Sequence, residues 1–284
     1  MPQTKTAIAF ISHTFTEPVL GAFEKLSREA QGYGDLYLIS DGKHAPPFHL
    51  KPQTHVFDFQ KAKGPWPQIT GHDVVPGNCH LLYCDFFSNF ETYDFVWFIE
   101  YDVRFSGPWS DFFALYETNP SDLLGCHIRR WDQEPDWCWW EGLSTGKAPL
   151  PPEDRLRAFL PIQRLSAKAF RTILEKLAEG WAGHAEAIIP SALQRDGLKI
   201  QDLGGDGPFT EAANQNRTYT SPTSPDGGLR EVGTMRYRPA HAAWGEQAHM
   251  LYHPVKHEPL TLGCLWGNLR ARAAFASRAL GLTR

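Results

Sequence analysis

TAIAFISHTFTEPVLGAFEKLSREAQGYGDLYLISDG, residues 6 to 42, decides the fold class. Residues 6–12 are a short apolar run that reads as a buried strand. His13 to Pro18 form a polar turn, and Val19 to Ala30 carry Leu20, Phe23 and Leu26 at helical spacing. Gly32 and Gly34 break that helix, and residues 35–42 read as a second strand ending in Ser-Asp-Gly. A strand–helix–strand unit implies parallel strands, with ligands held beyond their carboxyl ends. His13 and Thr14, after the first strand, and Asp41, after the second, are placed where a nucleoside would lie.

Working outward, residues 43–77 are mostly loop, with HVFDF as a short strand, and CHLLYCDFFSNF (79–90) is an apolar helix behind Gly77-Asn78. It leads into YDFVWFIEYDVRF (93–105), whose Val96-Trp97-Phe98-Ile99 core reads as the inside of a sheet but stops on Glu100-Tyr101-Asp102. In an extended segment residues i and i+2 point to one side. Glu100 and Asp102 then make an oxygen-rich seat for a hard divalent ion, Mg²⁺ or Mn²⁺, shared with waters and substrate phosphates. The plainer alternative is a solvated strand end, or a pairing with Arg104.

Further along, residues 111–117 read as a helix and 122–128 as a strand. Residues 161–179 read as a strand edge followed by an amphipathic helix, 184–197 as a helix and 198–204 as a strand. Residues 205–234 are a polar loop. The expected architecture is one α/β domain over residues 1–261, with a mostly parallel central sheet flanked by helices and long aromatic-rich loops. Its nucleotide-binding half spans about 1–128 and its acceptor-binding half about 129–261, and residues 262–284 form a basic amphipathic helical tail.

Composition removes several function classes. The 284 residues carry a formal charge of -4, which gives no electrostatic case for nucleic acid. Five scattered cysteines without a CxxC pair argue against a disulfide framework and for a reduced, cytoplasmic setting. No stretch approaches the roughly 20 apolar residues of a membrane span. Neither a GxGxxG nor a Walker A sequence is present, so dinucleotide and P-loop readings fail. Ten tryptophans stand out, and four of them, Trp131, Trp137, Trp139 and Trp140, fall in RRWDQEPDWCWWEG (129–142), which follows neither a helical nor a strand period. They serve either a sugar-stacking surface for an acceptor or a local core closing over the sheet.

Two further motifs carry chemistry. In HAEAIIP, Glu186 sits near a helix start, where it either takes a proton from an attacking hydroxyl or complements the helix dipole. In MLYHPVKH, His253 precedes Pro254 on a stiffened backbone and Lys256 and His257 follow. An imidazole there completes a carboxylate metal site and Lys256 neutralises phosphate, unless both are ordinary packed or surface residues. The tail, with Arg270, Arg272, Arg278 and Arg284 among apolar residues, either docks at an anionic membrane surface or covers the domain.

Taken in their order along the chain, FISHTF, LYLISDG, WFIEYDV, GHAEAIIP and LYHPVKH resemble the GT-A fold glycosyltransferases, over about residues 6–257. WFIEYDV is similar to the acidic D-x-D motif of that fold in an E-x-D form. The resemblance implies that Asp102 and His253 bind Mn²⁺ or Mg²⁺ and that Glu100 holds metal waters or the ribose. It also implies that Asp41 and His13 touch base or ribose, and that Lys256 and the metal stabilise the departing nucleoside diphosphate. Glu186 is then the base that activates an acceptor hydroxyl, with inversion. The implied partners are a nucleotide-sugar donor, UDP-linked by expectation, and a glycan or glycolipid acceptor, in cell-surface polysaccharide synthesis at the inner face of the membrane. Two alternatives stand beside this. A sugar nucleotidyltransferase wants a glycine-rich basic loop after the first strand, where SHTFTEP is neither. A non-catalytic carbohydrate-binding protein has no use for the carboxylate pair.

Overall fold

A computed structural model describes residues 4–64, 66–68, 73–221, 228–229, 233–237 and 247–255. The opening unit forms as its sequence dictates. Strand β1 (Thr6–Ser12) leads through an extended Thr16 cap into helix α1 (Glu17–Glu29), which has proline in its first turn and buries Val19, Phe23 and Leu26. Pro is tolerated there because the amide it lacks has no helical acceptor. Gly34 then brings the chain so close to β1 that a Cβ would stand 2.7 Å from the Thr6 carbonyl oxygen. Strand β2 (Asp35–Ser40) lies parallel to β1, and β3 (Thr54–Val56) lies parallel to β2.

A one-turn helix α2 (Phe59–Ala62) and the apolar helix α3 (Cys79–Asn89) follow, and strand β4 (Phe95–Glu100) pairs with the other side of β1, Ile11 facing Glu100. Next come the two-residue strand β5 (Arg104–Phe105), helix α4 (Trp109–Ala114) and strand β6 (Leu123–Arg130). Strand β7 (Leu156–Ser166) continues directly into helix α5 (Ala167–Ala178), capped by the Ser166 hydroxyl, which accepts from the Ala169 amide at 3.0 Å. Helix α6 (Ala185–Arg195), strand β8 (Ile200–Asp202) and strand β9 (Leu251–Tyr252) complete the described elements.

The large sheet has the order β3-β2-β1-β4-β7-β6-β8, and β7 alone runs against the rest. This is the expected mostly parallel α/β sheet. One side is covered by α3, α5 and α6 through Leu81, Phe86, Phe170, Ile173 and Ile188, and the other by α1 and α4 through Phe23, Leu26, Trp109 and Phe112. Strands covered on both faces read as near-continuous apolar runs, which is why β1 and β4 are so apolar.

Three expectations need correction. Strand β7 begins at Leu156, well before the strand edge expected near 161, and all eleven residues are buried, including Arg157, Gln163 and Arg164. It is an inner strand, between β4 and β6. Secondly, Glu100 closes β4 but Tyr101 and Asp102 do not extend it. The Val103 amide bonds back to the Glu100 carbonyl at 2.9 Å, so the two carboxylates are presented by a tight turn rather than by strand alternation. Thirdly, the helix expected at 111–117 is Trp109–Ala114. Lys256, His257 and the tail 262–284 lie outside the described residues. No described helix is long and apolar enough to cross a membrane.

Candidate active site

The carboxyl ends of β2, β1 and β4 lie side by side, because Ser12 is in register with Ser40 and Ile11 with Glu100. Beyond them, a two-stranded antiparallel ribbon of β5 and β9 pairs Arg104 with Tyr252. The Val255 amide donates to the Asp102 carbonyl at 2.8 Å. This ribbon delivers His253 to the acidic turn from far along the chain.

Glu100, Asp102 and His253 each offer one ligand atom, and these atoms lie within 4.8 Å of one another. The His253 Nε2 atom is 3.5 Å from an Asp102 oxygen and 3.6 Å from a Glu100 oxygen. Its Nδ1 is 2.7 Å from the Arg236 carbonyl, which can only accept, so Nδ1 carries a proton and Nε2 faces the acids. Phe159 of β7 packs edge-on against the ring at 5.2 Å. Asp102 and His253 are buried, whereas the Glu100 side chain keeps about a third of its surface, 35%, exposed. Burial alone would lower the His253 pKa, but Asp102 and Glu100 outweigh it and hold the value above normal. Two carboxylates and an oriented imidazole fit a divalent ion of the Mn²⁺ or Mg²⁺ kind, and the imidazole favours the softer Mn²⁺.

Glu186, in the first turn of α6, lies near enough for the Glu100 and His253 charges to act on its carboxyl. Burial pushes its pKa up to about 7; Arg157 and a hydrogen bond from the Leu160 backbone oppose the rise, and the Glu100 charge adds to it. Its side chain is still 20% exposed, so a proton can reach it. A carboxylate with a value near neutrality suits general-base work.

The tryptophan loop divides. Trp137 and Trp140 are buried and form a small core with Ala187, the residue after Glu186. Trp137 lies under the Arg157 guanidinium at 4.2 Å, and the Trp140 indole donates to the Glu134 carbonyl at 2.8 Å. These two rings fit the local-core reading of the loop. Trp131 and Trp139 remain half-exposed. A buried polar chain anchors the loop, with the Glu134 carboxylate 2.6 Å from His127 Nε2 and 3.0 Å from Arg157.

His13 is exposed and meets Tyr101 edge-on at 4.9 Å. Thr14 closes a turn in which its amide donates to the Ser12 hydroxyl at 3.2 Å. Asp41 accepts from the Lys43 amide at 3.1 Å, and the Lys43 ammonium stands 3.6 Å from it and 2.6 Å from Asp73. These three line the strand ends as expected, and the amide bonds of Thr14 and Asp41 stay within their own turns. Sequence reasoning missed His184, Arg157, Glu134 and Lys43. The signals were there for two of them: His184 occupies the cap position two residues before Glu186, and Lys43 follows Asp41.

The fold and site together define an α/β protein with an acidic, histidine-completed cluster at the strand ends that could hold a divalent cation. No protein-family model matches the chain, and no curated protein matches it in sequence. In shape it is similar to the galactosyltransferase LgtC solved with donor and acceptor sugar analogs. That likeness has a TM-score of 0.40 and 10% identity, and covers 69% of this chain and 73% of that one. Mouse xyloside xylosyltransferase 1 gives 0.38 and 8%, over 71% and 85% of the two chains. A Bacillus anthracis protein described as a glucose-1-phosphate thymidylyltransferase, in complex with a sucrose, gives 0.38 and 13%, over 74% and 92%. Likenesses this remote leave the function to be argued from the chain's own residues.

Proposed function

We propose that this protein is a glycosyltransferase that moves a sugar from a nucleoside-diphosphate donor to a hydroxyl of a glycan acceptor. The observation that carries this reading is the convergence of Glu100, Asp102 and His253 at the end of β4, with Glu186 near enough to feel the charges of Glu100 and His253. Glu100, Asp102 and His253 would hold Mn²⁺ or Mg²⁺, which when bound supplies positive charge for a departing diphosphate. The strand ends carrying His13, Thr14 and Asp41 receive the nucleoside, and Lys256 adds charge to the phosphate side. Glu186 takes the proton from the acceptor hydroxyl as the new glycosidic bond forms at the anomeric carbon and the bond to the diphosphate oxygen breaks. The products are an inverted glycoside and a nucleoside diphosphate. Trp131 and Trp139 supply flat apolar surface for the acceptor ring. A setting at the inner face of the membrane, on a cell-surface glycan, belongs to the same proposal.

Thermal-shift measurements with UDP, GDP and CMP, each with and without Mn²⁺, test it. A metal-dependent rise in melting temperature with one nucleoside diphosphate is expected, and no response to any nucleotide would sink the reading. Glu186→Gln is expected to keep that shift and to lose transfer by about 10²-fold or more.

A further inference from the structure

His184 joins two parts of the site. Its Nδ1 accepts a hydrogen bond from the Glu186 amide at 3.2 Å, which makes it the side-chain cap of α6, and it stands 3.9 Å from a Glu186 carboxylate oxygen. Its ring stacks on Trp139, with centroids 4.7 Å apart and planes inclined at 26°, and meets Trp137 edge-on at 5.9 Å. The backbone around it is drawn onto the tryptophan loop. Ser144 and Ala182 exchange both amide-to-carbonyl bonds, at 2.9 and 2.8 Å. Gly183, with φ of +150°, lies so close to the loop that a Cβ would stand 3.2 Å from the Leu143 Cα.

A histidine this near a carboxylate invites a role as the base itself. The geometry denies it, because the Nδ1 lone pair already serves the helix amide. Burial, with the nearby Arg157 and His80, also pushes its pKa down to about 3, so the imidazole stays neutral.

We infer that His184 is a positioning residue that fixes Trp139 against the start of α6, so that a pyranoside ring laid on Trp139 meets the Glu186 carboxylate. The inference rests on the acceptor reading above and adds the part that sets the distance between stacking surface and base. A polar group placed by a capped helix and an aromatic surface placed by stacking are held in one frame, the kind of pre-organisation a reacting hydroxyl needs.

Two variants separate the bonds His184 makes. His184→Asn keeps a cap acceptor and removes the ring, and His184→Phe keeps the ring and removes the acceptor. Three quantities are read. Exchange of the Glu186 amide is expected to quicken about fivefold in His184→Phe and to stay unchanged in His184→Asn. Acrylamide quenching of Trp139, taken as the difference between each variant and the same variant carrying Trp139→Phe, is expected to rise in His184→Asn only. UDP release from UDP-glucose, UDP-galactose or UDP-N-acetylglucosamine with Mn²⁺ and methyl β-glycosides is expected to show a raised acceptor KM in His184→Asn. In His184→Phe it is expected to show a lowered kcat, and UDP binding stays as in the parent in both. Unchanged exchange and quenching in both variants overturns the inference, as do parental kcat and acceptor KM. If the parent releases UDP from none of these donors, that result counts against the proposed function, while exchange and quenching still decide whether His184 ties the two parts together.

Discussion

Glu186 shows how a single carboxyl records its surroundings. Its native pKa of about 7 lies above the ordinary 4.5, so the native state holds this proton more tightly than the unfolded chain does. Stability linked to the group therefore falls as pH rises from about 4.5 to about 7 and is level above. Glu186→Gln removes that penalty. Chemical denaturation is expected to show the variant gaining on the parent across that window, by on the order of 3 kcal/mol at pH 8. The same value sets an activity expectation: as a base, Glu186 works deprotonated, so turnover should climb through about pH 7 on the acid limb. A rate that is flat from pH 5 to pH 8 would remove Glu186 from that role. Much of this residue-level picture was legible. Acids at the end of an apolar strand and an acid at a helix start are local patterns. The raised pKa was not, because it comes from burial beside β7 and from the Glu100 charge, set against Arg157, and only the folded chain brings these groups near.

At the scale of elements, β7 and the tryptophan loop show where sequence patterns lose their hold. Strand β1 announces itself by a clean apolar run, but β7 carries Arg157, Pro161, Gln163 and Arg164 among its buried residues. Arg164 is tolerated inside because it donates to the carbonyls of Tyr116 and Ser121, at 2.9 and 3.2 Å, and lies over the Phe95 ring at 4.2 Å. Those partners come from other elements, so no window of sequence around 164 reveals them. Similarly, the four tryptophans of the loop are alike in sequence and differ only in which faces the fold covers. The Glu134 carboxylate, fully buried between His127 and Arg157, holds that loop down. Glu134→Gln leaves the Arg157 charge buried with a weaker partner, and a loss of about 3–5 kcal/mol is expected in denaturant unfolding. Retention of full stability would mean that the loop is held by its aromatic packing alone.

For the whole molecule, the buried His80 and His127 and the partly exposed His184 lower stability in acid. His80, His127 and His184 have pKa values pushed down by burial, to about 4, about 4 and about 3. Each lies below the ordinary 6.5, so the unfolded chain takes up these protons first and stability is lost as pH falls below about 6.5. Each group contributes up to about 1.4 kcal/mol per pH unit in that window, and the raised values of Glu186 and, near the upper end, His253 oppose this. Melting temperature is expected to fall steeply between pH 6 and pH 4. A His127→Gln variant, which keeps a side chain able to bond to Glu134, is expected to soften that fall by about one proton's share.

The ribbon of β5 and β9 has a consequence for the order in which the protein is made. The Ser106 hydroxyl accepts from the Met250 amide at 2.9 Å across 144 residues of chain, and His253 arrives through the same clasp. Acids Glu100 and Asp102 leave the ribosome long before their imidazole does. The central strands can assemble early, yet Glu100, Asp102 and His253 come together only once synthesis has passed Val255, so a growing chain carries the two acids without their imidazole.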